Sequence, residues 1–292
     1  MQRKKVLILL HRDDAAFIYF KYLVKLLIKE WKALGLAVDT IRGTDRFVPA
    51  DIVVPHLDLT VVPEEYRNFL NQYPLVFNRH VRDISKSTIS RNLVGRDDPY
   101  AGPVIVKTNL NSGGFSEARL IGHRHLLNAV WKRLTLKKST DFRPGEIPWA
   151  EVTRLNSGDY PVFSSLHDVP AAIFDNEHLV IEKFLPEIEG DSYKVRYHHF
   201  LGERELTVVY ESRNKVVKAT GAIRNEVVPA PPELHQIRKQ LGLEYGKIDY
   251  VVRDGNVVLL DVNTTPALPA STQLARSIAR HLADGIHSSL HR

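Results

Sequence analysis

The sequence reads as an α/β (α+β) protein, on two features of its pattern. Residues 1–85 alternate short β-branched runs with helical stretches, the order of a small parallel sheet covered by helices. Residues 179–263 instead hold successive strand-like runs joined by glycine turns, the order of antiparallel sheet.

The totals narrow the class. The chain has 292 residues, 43% of them hydrophobic, enough for one large domain or two to three small ones. It has no cysteine, which excludes disulfides, thiolate nucleophiles and sulfur-bound metals and suits a cytoplasmic setting. The opening MQRKKVLILLHRDD has the charged and apolar parts of a signal peptide, but the apolar run 6–10 is short and acids follow at once. Lys21, Lys25, Lys29 and Glu30 interrupt the apolar stretch 17–31, and no run reaches the roughly 18 residues of a membrane span. A net charge of +6 suits nucleic acid or an anionic nucleotide. The basic residues are scattered, with no Arg-rich arm, zinc spacing or aromatic RNA-binding signature, so neither a nucleic-acid nor a membrane partner is expected.

In chain order, 6–10 is a strand, 15–34 a helix ended by Gly35, and 37–41 and 52–54 are strands. Residues 63–72 form a helix with Pro63 in its first turn, and 75–77 form a strand. The glycine fingerprint of a dinucleotide site is absent. His11, Asp13 and Asp14 follow the first strand, where open sheets bind ligands, and can equally cap a helix. Residues 83–93, DISKSTISRNL, read as a helix with Lys86 near its start. Residues 103–108, PVIVKT, form a strand that ends near Lys107 and enters Asn109-Leu110-Asn111-Ser112-Gly113-Gly114. Paired glycines let backbone N–H groups approach a phosphate, and an ordinary turn fits as well. The Walker Gly-Lys-Ser/Thr ending is missing. Residues 126–134 look helical, the polar stretch up to 160 loops over the surface, and 168–174 begins a short helix or turn. Residues 179–185, LVIEKFL, form a strand interrupted by Glu182. Residues 190–201 and 205–211 pair around Gly202. His198 and His199 are neighbours on a strand and point to opposite faces, so they read as structural. Residues 232–241 and 272–286 read as helices.

The stretch 246–266, GKIDYVVRDGNVVLLDVNTTP, reads as a hairpin about Asp254-Gly255. Alternation puts Ile248, Tyr250, Val252, Val258, Leu260 and Val262 on a buried face. Lys247, Asp249, Val251, Val257, Leu259, Asp261 and Asn263 fall on a working face. A plain two-residue turn would pair Asp249 with Leu260 and send Asp261 to the other side. A bulged or three-residue turn over 253–255, with Gly255 at positive φ, restores the match. Asp249, Asp261 and Asn263 then offer two carboxylates and an amide oxygen, a set suited to Mg²⁺.

Taken together, the lysine after a helix-opening aspartate, the strand lysine, the Gly-rich loop, Glu-Lys-Phe-Leu and the final Asp…Asp-X-Asn resemble the ATP-grasp superfamily, in its D-alanine–D-alanine ligase-like, carboxylate–amine ligase branch. The resemblance covers about 83–286. It implies a Rossmann-like pre-ATP-grasp domain at 1–85, a central lid subdomain at 86–181 and a C-terminal subdomain with the metal site at 182–292, with ATP between two antiparallel sheets. It implies that Lys86 and Lys107 hold ATP phosphates under a mobile lid of Asn111, Ser112, Gly113 and Gly114. Glu182, Lys183, Phe184 and Leu185 would form the adenine hinge, and Glu189 would take the ribose, with Glu187 and Asp191 as alternatives. Arg196 and Lys247 would act in catalysis. Asp249, Asp261 and Asn263 would bind Mg²⁺, one ion or two, with Mn²⁺ able to substitute; Asp261 stands where glutamate is more usual. Ser271 and the Asn263–Pro266 turn sit where the family contacts the acceptor, and the glycine-serine signature of a true D-alanine ligase is missing. The implied reaction is activation of a small-molecule carboxylate as an acylphosphate for attack by an amine or other nucleophile. A phosphotransferase or an ATP-binding protein without turnover is the alternative, and a homodimer is left open.

Overall fold

The computed structural model describes residues 3–121, 147–156, 158, 160–268 and 272–290. The expected helix 126–134 and Ser271 lie outside them.

β1 (Lys5–Leu10) is the centre of a parallel sheet, between β2 (Ala37–Arg42) and β3 (Ile52–His56). Its run Val6–Leu10 is fully buried because both faces are covered. Leu7 and Leu9 pack with Tyr66 and Phe69 of α2 (Glu64–Leu70). Val6, Ile8 and Leu10 pack with Leu23, Leu27 and Trp31 of α1 (Leu23–Ala33).

The expected helix 15–34 is broken. A 3-10 turn covers Ala15–Ile18, Tyr22 is extended, and α1 starts at Leu23. Tertiary pairing overrides helical propensity here. The Leu23 N–H donates to the Pro266 carbonyl at 2.8 Å, the Leu268 N–H donates to the Lys21 carbonyl at 2.5 Å, and Tyr22 bridges Ala267. The expected strand 75–77 reduces to a parallel bridge between Val53 and Val76. The expected helix 83–93 shrinks to α3 (Lys86–Ile89), with the Asp83 carboxylate accepting from the Ser85 N–H at 2.7 Å and the Thr88 hydroxyl at 2.9 Å.

A second sheet places β4 (Val104–Thr108) between β5 (Val162–Phe163) and β6 (Leu179–Lys183), all antiparallel. The boundary expected between 181 and 182 falls inside β6, whose pairing with β4 runs from Leu179 to Lys183. α4 (Phe115–Leu120) follows β4, and α5 (Ala171–Phe174) lies between β5 and β6.

The third sheet is antiparallel, with β10 (Arg224–Val228), β9 (Arg204–Ser212), β8 (Ser192–Leu201), β11 (Tyr245–Arg253) and β12 (Asn256–Asn263) in that order, and β7 (Glu187–Glu189) added against β8. β5, β7 and β10 escape the sequence reading because they are short or polar. One face packs on α6 (Glu233–Leu241) through Phe200, Ile248, Tyr250 and Leu234. The other shares a core with the parallel sheet, where Val195, Leu201 and Val208 meet Leu27 and Trp31 beneath α7 (Gln273–Ala283). The Trp31 indole N–H donates to the Ala283 carbonyl at 3.1 Å. The helix expected over 272–286 divides at Asp284, and α8 (Gly285–Leu290) follows.

The hairpin corrects one expectation and meets its purpose. Its turn is a plain two-residue one, with Arg253 opposite Asn256 and positive φ at Asp254 (51°) and Gly255 (79°), the pair of left-handed residues that suits the strand twist. The extra residue lies inside β12 instead. Tyr250 pairs with Leu259 and Asp249 with Asp261, so Leu260 is a β-bulge. The bulge exchanges sides up to the turn: Val257 and Leu259 join Ile248 and Tyr250 in the buried cluster, and Leu260 faces the cleft described below.

Two predictions follow from packing and burial. A Cβ on Gly285 would stand 1.9 Å from the Leu201 carbonyl oxygen, whereas one on Gly95 would meet nothing within 4 Å. Gly285→Ala should lower unfolding free energy by roughly 1–3 kcal/mol, read from urea midpoints, and Gly95→Ala should leave it nearly unchanged. Burial also lowers the imidazoles of His56 to about 4 and of His198 and His199 to about 3. These groups stay neutral when folded and take up protons when unfolded. Their contribution is present above about pH 6.5 and is lost as pH falls toward 3–4; His56→Phe should reduce proton uptake on unfolding at pH 5, measured by calorimetry in buffers of different ionisation enthalpy.

Candidate functional site

The second and third sheets face one another across a cleft of about 300 Å³. β4 contributes Ile105 and Lys107. β8, β11 and β12 contribute Val195 and Tyr197, Lys247 and Asp249, and Leu260 and Asp261. Apolar side chains in its wall include Phe184, Leu185, Val216 and Val251. Lys86, Lys107, Lys183, Lys194, Lys215, Lys218 and Lys247 also line it, and Asp249 and Asp261 are the only carboxylates that do so among the described residues.

Sheet register decides what faces the cleft. Asp249 opposes Asp261 on one side and Tyr197 on the other. The Lys247 ammonium lies 2.8 Å from Asp249 Oδ1 and 3.9 Å from the centre of the Tyr197 ring. Burial alone would pull Lys247 down, but Asp249, Tyr197 and Asp261 hold it above the ordinary lysine value. Burial pushes the Asp249 carboxyl up, Lys247 opposes that, and Asp261 adds to it. Lys86 Nζ stands 3.4 Å from Asp261 Oδ1 and donates to the Leu110 carbonyl at 3.3 Å. Lys107 Nζ is 2.5 Å from Glu182 and donates to the Leu260 carbonyl across the cleft at 3.4 Å. Asn263 lines the same cleft, and its Oδ1 accepts the Thr265 N–H at 2.7 Å.

Several sequence expectations change. Arg196 is opposite Tyr250 and shares its face, the reverse of the Lys247–Asp249 face. There it grips Glu187 through two bonds of 2.6 and 3.0 Å, while Glu187 also accepts the Val252 N–H at 2.8 Å. Arg196 is therefore a strut of the sheet. Glu182 is 2% exposed and, rather than lining the cleft, is the partner of Lys107. Glu189 is exposed, paired with Lys194, and outside the cleft wall, as are Glu187 and Asp191. Lys183 lines the cleft, but its ammonium sits 5.1 Å over the Tyr100 ring.

The glycine loop is a left-handed turn, with positive φ at Ser112 (50°), Gly113 (68°) and Gly114 (77°). Only Ser112 of the four loop residues lines the cleft. Gly113 and Gly114 are buried against residues 153–155; a Cβ at Gly113 would stand 2.0 Å from the Leu155 carbonyl oxygen. Asn111 is buried and donates to the Val262 carbonyl at 2.6 Å. The glycines thus allow backbone packing, where the sequence suggested a phosphate cradle.

Sequence reasoning missed Lys218. It sits in the irregular segment after β9, where no periodicity signals a role, and its ammonium is lowered by burial against the pull of Asp249. Tyr160, raised to about 12 by burial, closes the cleft beside Thr108, with its hydroxyl 3.3 Å from the threonine's.

No protein-family model and no curated protein matches the sequence. Solved structures align over nearly the whole chain. A D-alanine–D-alanine ligase from Bacillus anthracis superposes with a TM-score of 0.49 at 13% identity, covering 99% of this chain and 98% of that one. A RimK-domain ATP-grasp protein from Sphaerobacter thermophilus gives 0.47 at 13%, covering 96% and 99%. A D-Ala:D-Ser ligase from Enterococcus faecalis gives 0.46 at 13%, covering 99% and 100%.

The Lys107–Glu182 pair is buried on both sides, at 8% and 2% side-chain exposure. Removing only the lysine leaves an uncompensated charge. Lys107→Met should therefore lower stability by roughly 3 kcal/mol, and Lys107→Met with Glu182→Leu should recover most of that loss in guanidinium melts.

Proposed function

We propose that the cleft binds ATP with a divalent cation and that the protein is an ATP-grasp carboxylate–amine ligase. The observation that carries this reading is that Lys86, Lys107, Lys218 and Lys247 line one cleft together with two opposed aspartates and the apolar side chains Phe184, Leu185, Val216 and Val251. An apolar recess accepts a base, and clustered ammonium groups offset a polyphosphate.

The donor set fits Mg²⁺. Asp261 Oδ1 is buried and, among the described residues, makes no hydrogen bond, with the Lys86 ammonium 3.4 Å away as an ion-pair partner, and Asp249 stands directly opposite. No group of three His, Cys, Asp or Glu side chains converges among the described residues. Two carboxylates, the Asn263 amide oxygen and phosphate oxygens form the hard-oxygen shell that Mg²⁺ prefers. Bound there, the ion would neutralise phosphate charge as a Lewis acid.

The remaining roles belong to the chain. Lys86 and Lys107 would hold phosphate oxygens, with Lys107 aimed by Glu182. Lys218 and Lys247 would stabilise charge developing at the transferring phosphoryl group and the substrate carboxylate. The carboxylate oxygen would attack the γ-phosphorus and release ADP; an amine would then attack the acyl carbon and release phosphate. Tyr160, Phe184 and Leu260 would exclude water from the intermediate. The chain would divide into three units near 85 and just past Lys183.

Calorimetry with a non-hydrolysable ATP analogue, with and without Mg²⁺, tests the cleft. Micromolar, Mg²⁺-dependent binding is expected, and absence of binding would overturn the reading. Mass spectrometry after incubation with ATP, Mg²⁺ and a panel of carboxylates and amines tests the reaction: condensed product supports a ligase, a stable phosphorylated acceptor a phosphotransferase. Lys218→Met should lower turnover by roughly a hundredfold while nucleotide affinity changes by less than about tenfold.

A further inference from the structure

Beside the cleft, three parts of the chain meet at one carboxylate. Asp58 follows β3, is 11% exposed in its side chain and has φ of 50°. Its Oδ2 accepts from the Tyr22 hydroxyl at 2.9 Å, the Ser116 hydroxyl at 2.9 Å and Arg119 Nη2 at 2.7 Å. Its Oδ1 accepts from the Thr265 hydroxyl at 2.7 Å. Arg119 also pairs with the buried Asp14. The N-terminal sheet, α4 and the segment after β12 are thereby tied together.

The Thr265 hydroxyl has a second neighbour, Asn263 Oδ1, at 3.2 Å. A hydroxyl has one proton to give, and a carboxylate can only accept. The shorter contact and the charge both direct that proton to Asp58. Asn263 Oδ1 already accepts the Thr265 N–H at 2.7 Å. One of its two lone pairs is thus used, and the other stays free only while the hydroxyl proton points away.

We infer that Asp58 is a positioning residue for the metal end of the cleft: by drawing the Thr265 hydroxyl proton to itself, it keeps a lone pair of Asn263 Oδ1 open to a divalent cation. The inference rests on the reading of Asp249, Asp261 and Asn263 as cation ligands. It also makes the metal end conditional on the junction, since the same carboxylate holds Arg119 of α4 and Tyr22 of the N-terminal unit.

Asp58→Asn isolates the effect. Tyr22, Ser116 and Arg119 all donate toward Oδ2, so the amide oxygen would stay on their side. The amide N–H groups would then face Thr265 Oγ, and the hydroxyl proton would turn to Asn263. Arg119 would keep Asp14. Thr265→Val removes the competing hydroxyl and leaves the backbone N–H that orients Asn263.

The experiment measures affinity for a non-hydrolysable ATP analogue by calorimetry, with and without Mn²⁺, in the full chain, alongside thermal melts. Asp58→Asn should reduce the metal-dependent gain in affinity by roughly tenfold or more, with metal-free affinity within about twofold of wild type. Thr265→Val and the Asp58→Asn/Thr265→Val pair should both return to within about threefold of the wild-type gain. A purely structural role would leave the double variant as weak as Asp58→Asn, and that result overturns the inference, as does an unchanged gain in Asp58→Asn. A wild-type protein whose nucleotide binding ignores metal overturns the proposed function itself, and the inference with it.

Discussion

One extra residue in β12 fixes what this cleft contains. A strand alternates faces every residue, so parity decides which side chains are neighbours. From the Asp254-Gly255 turn, an unbroken ladder would set Asp249 against Leu260 and carry Asp261 to the α6 side. Leu260 absorbs that single step as a bulge. The carboxylates then face each other, and the lysines gathered from β4, α3, β11 and the segment after β9 have something to converge on. Without the bulge, the cleft would hold a surplus of ammonium groups around one aspartate.

The lysines are also held in readiness by internal partners. Lys107 leans on Glu182, Lys247 on Asp249 and Lys86 on Asp261. Each ammonium is buried or nearly so, and burial without a counter-charge is strongly unfavourable. The pairing solves that problem in two ways. Glu182 lies outside the cleft wall and holds the Lys107 ammonium from behind. Asp249 and Asp261 lie within it, where their oxygens border the cleft. The same chemical pair, lysine with carboxylate, thus stands behind the wall in one place and within it in another.

The parallel sheet, the antiparallel hairpins and the opposition of Asp249 and Asp261 were legible in the sequence, because each rests on local period and turn chemistry. The location of the compensating bulge was not: parity shows that a residue is needed, while only the strand register shows that it is Leu260. Arg196 illustrates a second limit. It and Tyr197 are adjacent, and only the pairing of β8 with β11 says which faces Asp249. Lys218 marks a third, since an irregular segment has no periodicity to read. The helix expected over 15–34 failed for a different reason, because the strand-like pairing of Lys21–Leu23 with 266–268 outweighs local propensity.

That last pairing has a consequence for how the molecule is made. Leu27 and Trp31 of α1, which pack on β1, also lie beneath α7, whose Ala283 comes 252 residues after Trp31. Contacts so distant in sequence form late, since the closure entropy of the intervening chain must be overcome first. A ribosome releases the N-terminal sheet long before the segment that covers α1. Throughout that interval part of the apolar surface of α1 stays uncovered, and the cleft lacks β12. Complete burial of α1 therefore waits on α7, and chaperone demand during synthesis should concentrate on α1.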